Sequence, residues 1–474
     1  MNGNKQIKIF YLLSLLGTFL GFFTSMFSLA FFTQVDYGLY TLYLTYISQL
    51  GILSFGYQDG MLINYRKKKP EEVIIKFKED IKFGYLFQFI VLIVSIILIP
   101  FCLKTFFNQS GDNYNILILA IISIFPTTII GNFRNVYSAL GEFSILGFVD
   151  FYTKVYLLLG VLAIKLFSLN VFQFIYLDLI FKLIILLYLL YDLNKKIKKY
   201  QNHQQLECDF TIKDHFKKGL FVLIGNWAYV FIFTLDKNFL SVDGEKLGLY
   251  AYSFFILTVA FQLLIPVKNV IVSTINEHMT KEEINTLIHR VCSILYLLLF
   301  LYIFIGTPII KFVLDFAINN FNLGQGFSQK LLGFYNAIDL SKYITLILPL
   351  YICIQLILTN LIMLKNQKLY SIMACINFVM TFLIYYIIVN FTNMDVLDAV
   401  VIATLVNYLA SFLLNVFVLT SFIDICKYFC EFIGIFIIFL LVKDFFFLQI
   451  IVIILSAVYM IKLQKKVNDK GEVC

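Results

Sequence analysis

Charge is scarce in this sequence. Only 14% of its 474 residues are Asp, Glu, Lys or Arg, and 61% are hydrophobic, whereas an ordinary soluble protein is about 25% charged and about 45–50% apolar. Six prolines and 23 glycines are too few for a disordered or collagen-like polymer. The eight cysteines show no CxxC spacing, and Cys292, Cys353, Cys375 and Cys430 fall in apolar stretches. They read as small buried hydrophobes, which excludes a disulfide framework or a cysteine metal site. His203, His215, His278 and His289 have no ligand spacing either, so neither a metal nor a cofactor is expected. No GxxxxGK[ST], HExxH or GxSxG occurs, which removes the phosphate loop, the zinc-protease helix and the nucleophile elbow. With no soluble domain to host chemistry, no enzyme is expected.

What is present is apolar length. Runs such as Ile116–Ile130 are unbroken, whereas a membrane β-barrel would alternate in strands of about ten residues. Stretches of about 18 or more mostly apolar residues recur along the chain, each long enough to cross a hydrocarbon core of about 30 Å. The fold class is therefore an all-α integral membrane protein with about fourteen transmembrane helices, twelve or thirteen being the alternative. Among these spans are 38–63, 114–132, 145–167, 170–191, 218–241, 342–364, 369–390 and 396–422. The connections left over average about twelve residues, too short for a folded catalytic domain.

Lysine and arginine set the orientation. With the N-terminus inside, about 27 basic residues lie on the cytoplasmic side and about 8 outside, most of the bias coming from Arg66–Lys82 and Lys195–Lys218. Both termini are expected in the cytoplasm. The same asymmetry accounts for the net charge of +8, so nucleic acid is not an expected partner.

An internal repeat divides the chain. Asp36-Tyr37-Gly38-Leu39-Tyr40 follows the first span, and Lys246-Leu247-Gly248-Leu249-Tyr250 follows the seventh. Gly38 and Gly248 are expected at equivalent interhelical turns, where glycine tolerates positive φ. Six spans separate them, so the halves are parallel repeats about an axis along the membrane normal, as in alternating-access carriers. The expected domains are a first lobe at 1–191, a basic linker at 192–217, a second lobe at 218–422, and two additional helices with a tail at 423–474.

Charges inside a membrane are costly, so each needs a reason. Asp150 and Lys154 lie four residues apart in the fifth span, and Asp178 and Lys182 repeat the spacing in the sixth. Residues at i and i+4 share a helix face, with the acid preceding the base. Either they are self-neutralising buried pairs, or they line a polar cavity in which Lys154, Lys182 and Lys268 meet an anionic substrate. Asn377 and Asn407, like other amides of the second half, read as interhelical hydrogen-bonding groups. Gly51, Gly56 and Gly60, with Asp59, mark a place where the second span can bend.

Leu12-Leu13-Ser14-Leu15-Leu16-Gly17-Thr18-Phe19-Leu20-Gly21, Tyr37-Gly38-Leu39-Tyr40 and Leu53-Ser54-Phe55-Gly56-Tyr57-Gln58-Asp59-Gly60 together resemble the bacterial polysaccharide (O-antigen) flippases of the MATE-like exporter superfamily. Leu235-Asp236-Lys237-Asn238-Phe239-Leu240 before Leu247-Gly248-Leu249-Tyr250 resembles that family's seventh–eighth helix connection. The resemblance implies lobes of helices 1–6 and 7–12 with two appended helices. It also implies transfer of polyprenyl-diphosphate-linked sugar units across the bacterial inner membrane, for O-antigen, lipopolysaccharide or other surface polysaccharide. Implied partners are the lipid-linked oligosaccharide, membrane lipid, and a polysaccharide polymerase and glycosyltransferases. A drug or metabolite exporter of the same superfamily is the alternative. The first span carries no acid between Ile9 and Phe32, where related cation-coupled exporters commonly carry one. A membrane-embedded polymerase ranks last, because the longest external stretch, Asp315–Ser341, offers only Asp315, Lys330 and Asp339 as charged groups.

Overall fold

The structure is a computed structural model, and it describes residues 3–65, 68–107, 112–200, 211–241, 243–254, 294–320, 325–354 and 367–419, with short stretches between 433 and 458. Among the described residues there is helix and no strand. Among the described residues, seven helices are long and apolar enough to cross a membrane, or eight if one bent pair is a single span. The chain is a multi-pass membrane protein. It divides into two compact units, residues 1–248 and 249–474.

In the first unit, α1 (Gly3–Phe31) is followed by α2 (Gln34–Gln49), whose first turn is capped by Thr33 accepting from the Asp36 amide at 3.1 Å. The second expected span, 38–63, is not one helix. α2 gives way to a 3₁₀ turn, Leu50–Ser54, then to Phe55 and Gly56 in the left-handed region (φ 49° and 77°), then to α3 (Tyr57–Tyr65). The expected bend is thus a full break. A Cβ on Gly56 would also lie 2.6 Å from the Gly219 carbonyl carbon, so both its φ and its surroundings require glycine there.

α4 (Pro70–Phe107) starts with proline, which suits a first turn whose N–H has no helical acceptor. Only 22% of its apolar window is buried, against 72% for α5 (Asp112–Ala139), so α4 faces lipid and α5 is the central post. α6 (Phe143–Phe167) and α7 (Val171–Tyr200) complete the bundle. α6 presses on α1 at Gly147, where an added Cβ would lie 3.2 Å from the Phe10 Cα. Tyr57, Phe77, Phe133 and Tyr137 fill the interior between α3, α4 and α5, with Phe77 and Phe133 edge to face at 5.2 Å.

α8 (Ile212–Ile232) and the short α9 (Leu235–Leu240) replace the single seventh span expected at 218–241. α8 begins where the Asp214 carboxylate accepts from the Thr211 N–H at 2.7 Å and the Thr211 hydroxyl at 2.9 Å. It packs on α3, backbone against backbone: a Cβ on Gly60 would lie 1.8 Å from the His215 carbonyl oxygen, and one on Gly219 1.8 Å from that of Gly56. A second close crossing joins α2 to the helix 244–254. There a Cβ on Gly248 would lie 2.1 Å from the Gln34 carbonyl oxygen, and one on Gly38 3.1 Å from the Gly248 nitrogen. Neither glycine has a positive φ. The turn expected at each is therefore a helix, and glycine is needed for close approach.

In the second unit, Ile294–Phe316 contains one π-helical turn, Tyr302–Gly306. The stretch expected as an external loop is also helical. Thr307–Asn320 and Gln325–Ile344 are helices, and Lys311 and Lys342 both pair with Asp339, at 2.5 and 2.9 Å. Leu332–Ile344 continues into Ile347–Ile354 through a 56° bend, so the tenth span is broken too. Gln367–Phe391 packs on Val396–Leu419, and the Thr381 hydroxyl donates to the side-chain Oδ1 of Asn407 at 2.7 Å, the interhelical bond expected of such amides. Asn377 donates to the Met373 carbonyl within its own helix.

Candidate functional site

The first unit contains a partly open cavity of about 420 Å³. Its floor is the break in the second span, with Gly51 and Gln58, and its walls come from α2, α5, α6 and α7. Two of its lining residues are cations, Lys182 of α7 and Arg134 of α5. Thr127, Thr128, Thr153 and Tyr156 add hydroxyls, and Ile47, Ile124, Ile130 and Ile185 make the rest apolar. A space of this kind, apolar with a few convergent polar groups, is what a ligand site requires.

Lys182 is the expected candidate that reaches it. Its ammonium lies 2.6 Å from Asp178 Oδ2, so the i,i+4 pair on α7 is formed. Asp178 is buried, does not line the cavity, and accepts two further bonds: from the Tyr43 hydroxyl at 2.9 Å and from the Tyr156 hydroxyl at 3.1 Å. Because the Tyr43 proton points to Asp178, the Ser123 hydroxyl at 2.8 Å must donate to Tyr43. The Tyr43 ring also lies 5.4 Å from the Lys182 ammonium. Four helices, α2, α5, α6 and α7, thus fix one carboxylate, and that carboxylate orients one cavity cation.

The other expected pair is rearranged. Asp150 is ion-paired with Arg134 across α6 and α5, both side chains being close to half exposed. The guanidinium competes better than the lysine four residues on, because it offers a rigid fork of donors to the carboxylate. Lys154 forms no ion pair among the described residues, and it does not line the cavity. Its stem packs toward α1, with Cγ 3.8 Å from where a Cβ on Gly17 would lie. Lys268 falls outside the described residues. Arg134 is the cavity residue the sequence reading missed: the fourth span was ended at 132, which left Arg134 in a loop, whereas α5 runs on to Ala139.

Gln58 shows how closely the break is keyed to α5. Its side-chain amide donates to the Thr128 carbonyl at 2.7 Å, and its own carbonyl accepts from Asn135 at 2.9 Å. Gly131 leaves room for it, since a Cβ there would stand 2.8 Å from Gln58 Oε1. Arg134 follows one turn later on the same helix. The cavity therefore presents two cations, each already held by a carboxylate, among amide and hydroxyl groups. An anion entering it would exchange with those carboxylates for positive charge that is already in place.

Comparison with solved structures places this architecture. Over 98% of this chain and 99% of the other, it is similar to the lipid II flippase MurJ in an inward closed conformation, with a TM-score of 0.67 at 17% identity. A MOP superfamily transporter from Pyrococcus furiosus aligns over 88% of this chain and 95% of its own, with a TM-score of 0.55 at 14% identity. A mutant of the Vibrio cholerae MATE transporter VcmN aligns over 87% and 97%, at 0.51 and 12%. No protein-family model and no curated sequence matches the chain. The chain has the all-helical fold of these membrane transporters.

Proposed function

We propose that the protein is a flippase that carries a polyprenyl-diphosphate-linked oligosaccharide across the bacterial inner membrane, with both termini cytoplasmic, for surface polysaccharide synthesis. The observation that carries this reading is the cavity of the first unit, which Lys182 of α7 and Arg134 of α5 line among hydroxyl and amide groups. A diphosphate needs cations and donors out of bulk water; a sugar needs hydroxyl and amide partners. The fold shared with a protein named a lipid II flippase supports a lipid-borne cargo. In this reading the lipid chain stays in the bilayer while the head group passes through the cavity, and one lobe rocks against the other, the lobes being 1–191 and 218–422. A polymerase and glycosyltransferases would act on the two sides of the transfer.

The test is translocation in proteoliposomes of a fluorescent polyprenyl-diphosphate sugar, read by its accessibility to an external quencher. Lys182→Ala and Arg134→Ala should each abolish translocation while the protein still inserts and purifies. Lys182→Arg should keep part of it, since a cation remains with different donor geometry. Asp178→Asn combined with Lys182→Ala should restore stability and leave translocation dead. An active double variant removes the substrate role of Lys182. The fold shared with the MATE transporter supports a second reading, export of a drug or metabolite. Loss of drug resistance with intact lipid translocation in those variants would favour it.

A further inference from the structure

Away from the cavity, the α3–α8 crossing carries a polar chain, buried except for the exposed Lys218 at its end, that neither transport reading uses. His215 of α8 and Asp80 of α4 are both fully buried, and their Nε2 and Oδ2 atoms are 2.9 Å apart. The Asn64 side-chain nitrogen of α3 lies 2.9 Å from His215 Nδ1, and Lys218 of α8 donates to Asn64 Oδ1 at 2.7 Å. Asp80 Oδ2 also accepts from the Tyr65 hydroxyl at 2.5 Å, and Lys76 pairs with Oδ1 at 3.4 Å. Tyr57 stands edge-on to the imidazole, with centroids 5.5 Å apart. Among the described residues, the charged and titratable groups facing His215 include Asp80 and Lys76 of α4, Tyr57 and Tyr65 of α3, and Lys218 on its own helix.

The chain of bonds has a fixed direction. An ammonium can only donate, so Lys218 must face the oxygen of Asn64, and the amide nitrogen must then face His215. That nitrogen can only donate, so Nδ1 must be bare and the imidazole proton must sit on Nε2, directed at Asp80. A second proton, placed on Nδ1, would set N–H against N–H. Turning the amide cures that clash and creates another, because its NH₂ then faces Lys218. Either orientation of Asn64 leaves one cation without its amide partner: His215 as the amide now stands, or the exposed Lys218 if it turns. The added charge would join Lys76 as a second positive group on the single carboxylate of Asp80. The imidazole is packed edge-on against the rings of Tyr57 and Tyr65, each with its centroid 5.5 Å away, while the His215 backbone is in contact with Gly60.

We propose that His215 is a proton-binding site that controls the α3–α8 crossing: the neutral imidazole holds α8 on α3, and protonation at Nδ1 releases it. This site supplies a place for a coupling proton, whatever the cargo, and it lies on residues distinct from the cavity cations.

The experiment uses the full chain in nanodiscs. Spin labels on Ile63→Cys of α3 and Lys217→Cys of α8, neither of them buried, in a background without native cysteines, report the α3–α8 separation by pulsed electron resonance at about pH 8 and about pH 5, on either side of the range in which an imidazole ordinarily changes charge. A single short distance at the higher pH, with a longer population growing in on acidification, is expected. His215→Asn should remove the pH dependence. An unchanged distance, or the same shift in His215→Asn, overturns the proposal. Should that variant fail to fold, nitrogen spectra of ¹⁵N-histidine-labelled protein carry the test. The only chain histidines besides His215 are His203, His278 and His289, each replaceable by glutamine to leave one signal. A bare Nδ1 at the higher pH, protonated together with the longer distance, is expected. A protonated Nδ1 at the higher pH, or protonation without separation, overturns it.

Discussion

The Asp178–Lys182 pair allows the cavity to be tested through stability alone. Removing one partner of a buried ion pair costs about 3–5 kcal/mol, chiefly because the other charge is left uncompensated. The two members are unequally placed. Asp178 is 6% exposed and does not line the cavity, whereas Lys182 is 15% exposed and lines it. In Lys182→Met the carboxylate keeps its bonds from Tyr43 and Tyr156 and has no access to the cavity, so the loss should be about 3 kcal/mol, the lower end of that range. In Asp178→Asn the stranded ammonium can turn into the cavity and recruit water. Its loss should be nearer to about 1.5 kcal/mol, the value of one hydrogen bond to a charged group. The double variant Asp178→Leu with Lys182→Met should recover most of the stability, giving a large coupling in the cycle. Reversible unfolding in mixed micelles, followed by tyrosine fluorescence and helix content, measures all three. If Asp178→Asn is the more damaging single change, Lys182 is not reached by water, and the cavity is not the polar passage the transport reading requires.

Close backbone contact gives a second test. Gly248→Ala should destabilise by about 1–3 kcal/mol, as overpacking does, because its Cβ would stand 2.1 Å from the Gln34 carbonyl oxygen. Gly51→Ala, with nothing within 4 Å, should change stability by no more than about 0.5 kcal/mol in the same thermal-unfolding assay. For topology, a reporter fused after Gln204 should register as cytoplasmic and one after Gln325 as external; agreement between the two would overturn the expected orientation.

What could be read from the sequence was set by length and hydropathy. The spans at 145–167, 369–390 and 396–422 reappear as Phe143–Phe167, Gln367–Phe391 and Val396–Leu419, because a membrane helix needs about 20 apolar residues and little else. Hydropathy does not see backbone geometry, so the second, seventh and tenth spans were drawn as single helices and are each broken. The clue at Phe55-Gly56 was a glycine that its own φ demands; at Gly38 and Gly248 the same residue type serves close packing within helices. Spacing alone found Asp178–Lys182, since both partners lie on one helix. It could not find Asp150–Arg134, since that pair depends on which faces α5 and α6 turn to each other.

The buried acids of the first unit bear on how transport would be driven. The first helix has no acid between Ile9 and Phe32, so a proton cannot be carried on a carboxylate there. Among the described residues of that unit, Asp80, Asp178 and Asp236 are the buried carboxylates. Asp178 is held by Lys182 and two tyrosines and orients a cavity cation; protonating it would release Lys182 into the site. Asp80 is held by His215, Tyr65 and Lys76 and ties α8 to α3 and α4. One acid thus sets the charge of the cavity and another the contact between helices, so cargo binding and helix separation can respond to protons at different residues. Translocation that keeps its pH dependence in a cavity variant such as Lys182→Arg and loses it in His215→Asn would separate the two roles. Loss of the pH dependence in Lys182→Arg alone would place proton control at the cavity and leave the α3–α8 crossing as packing.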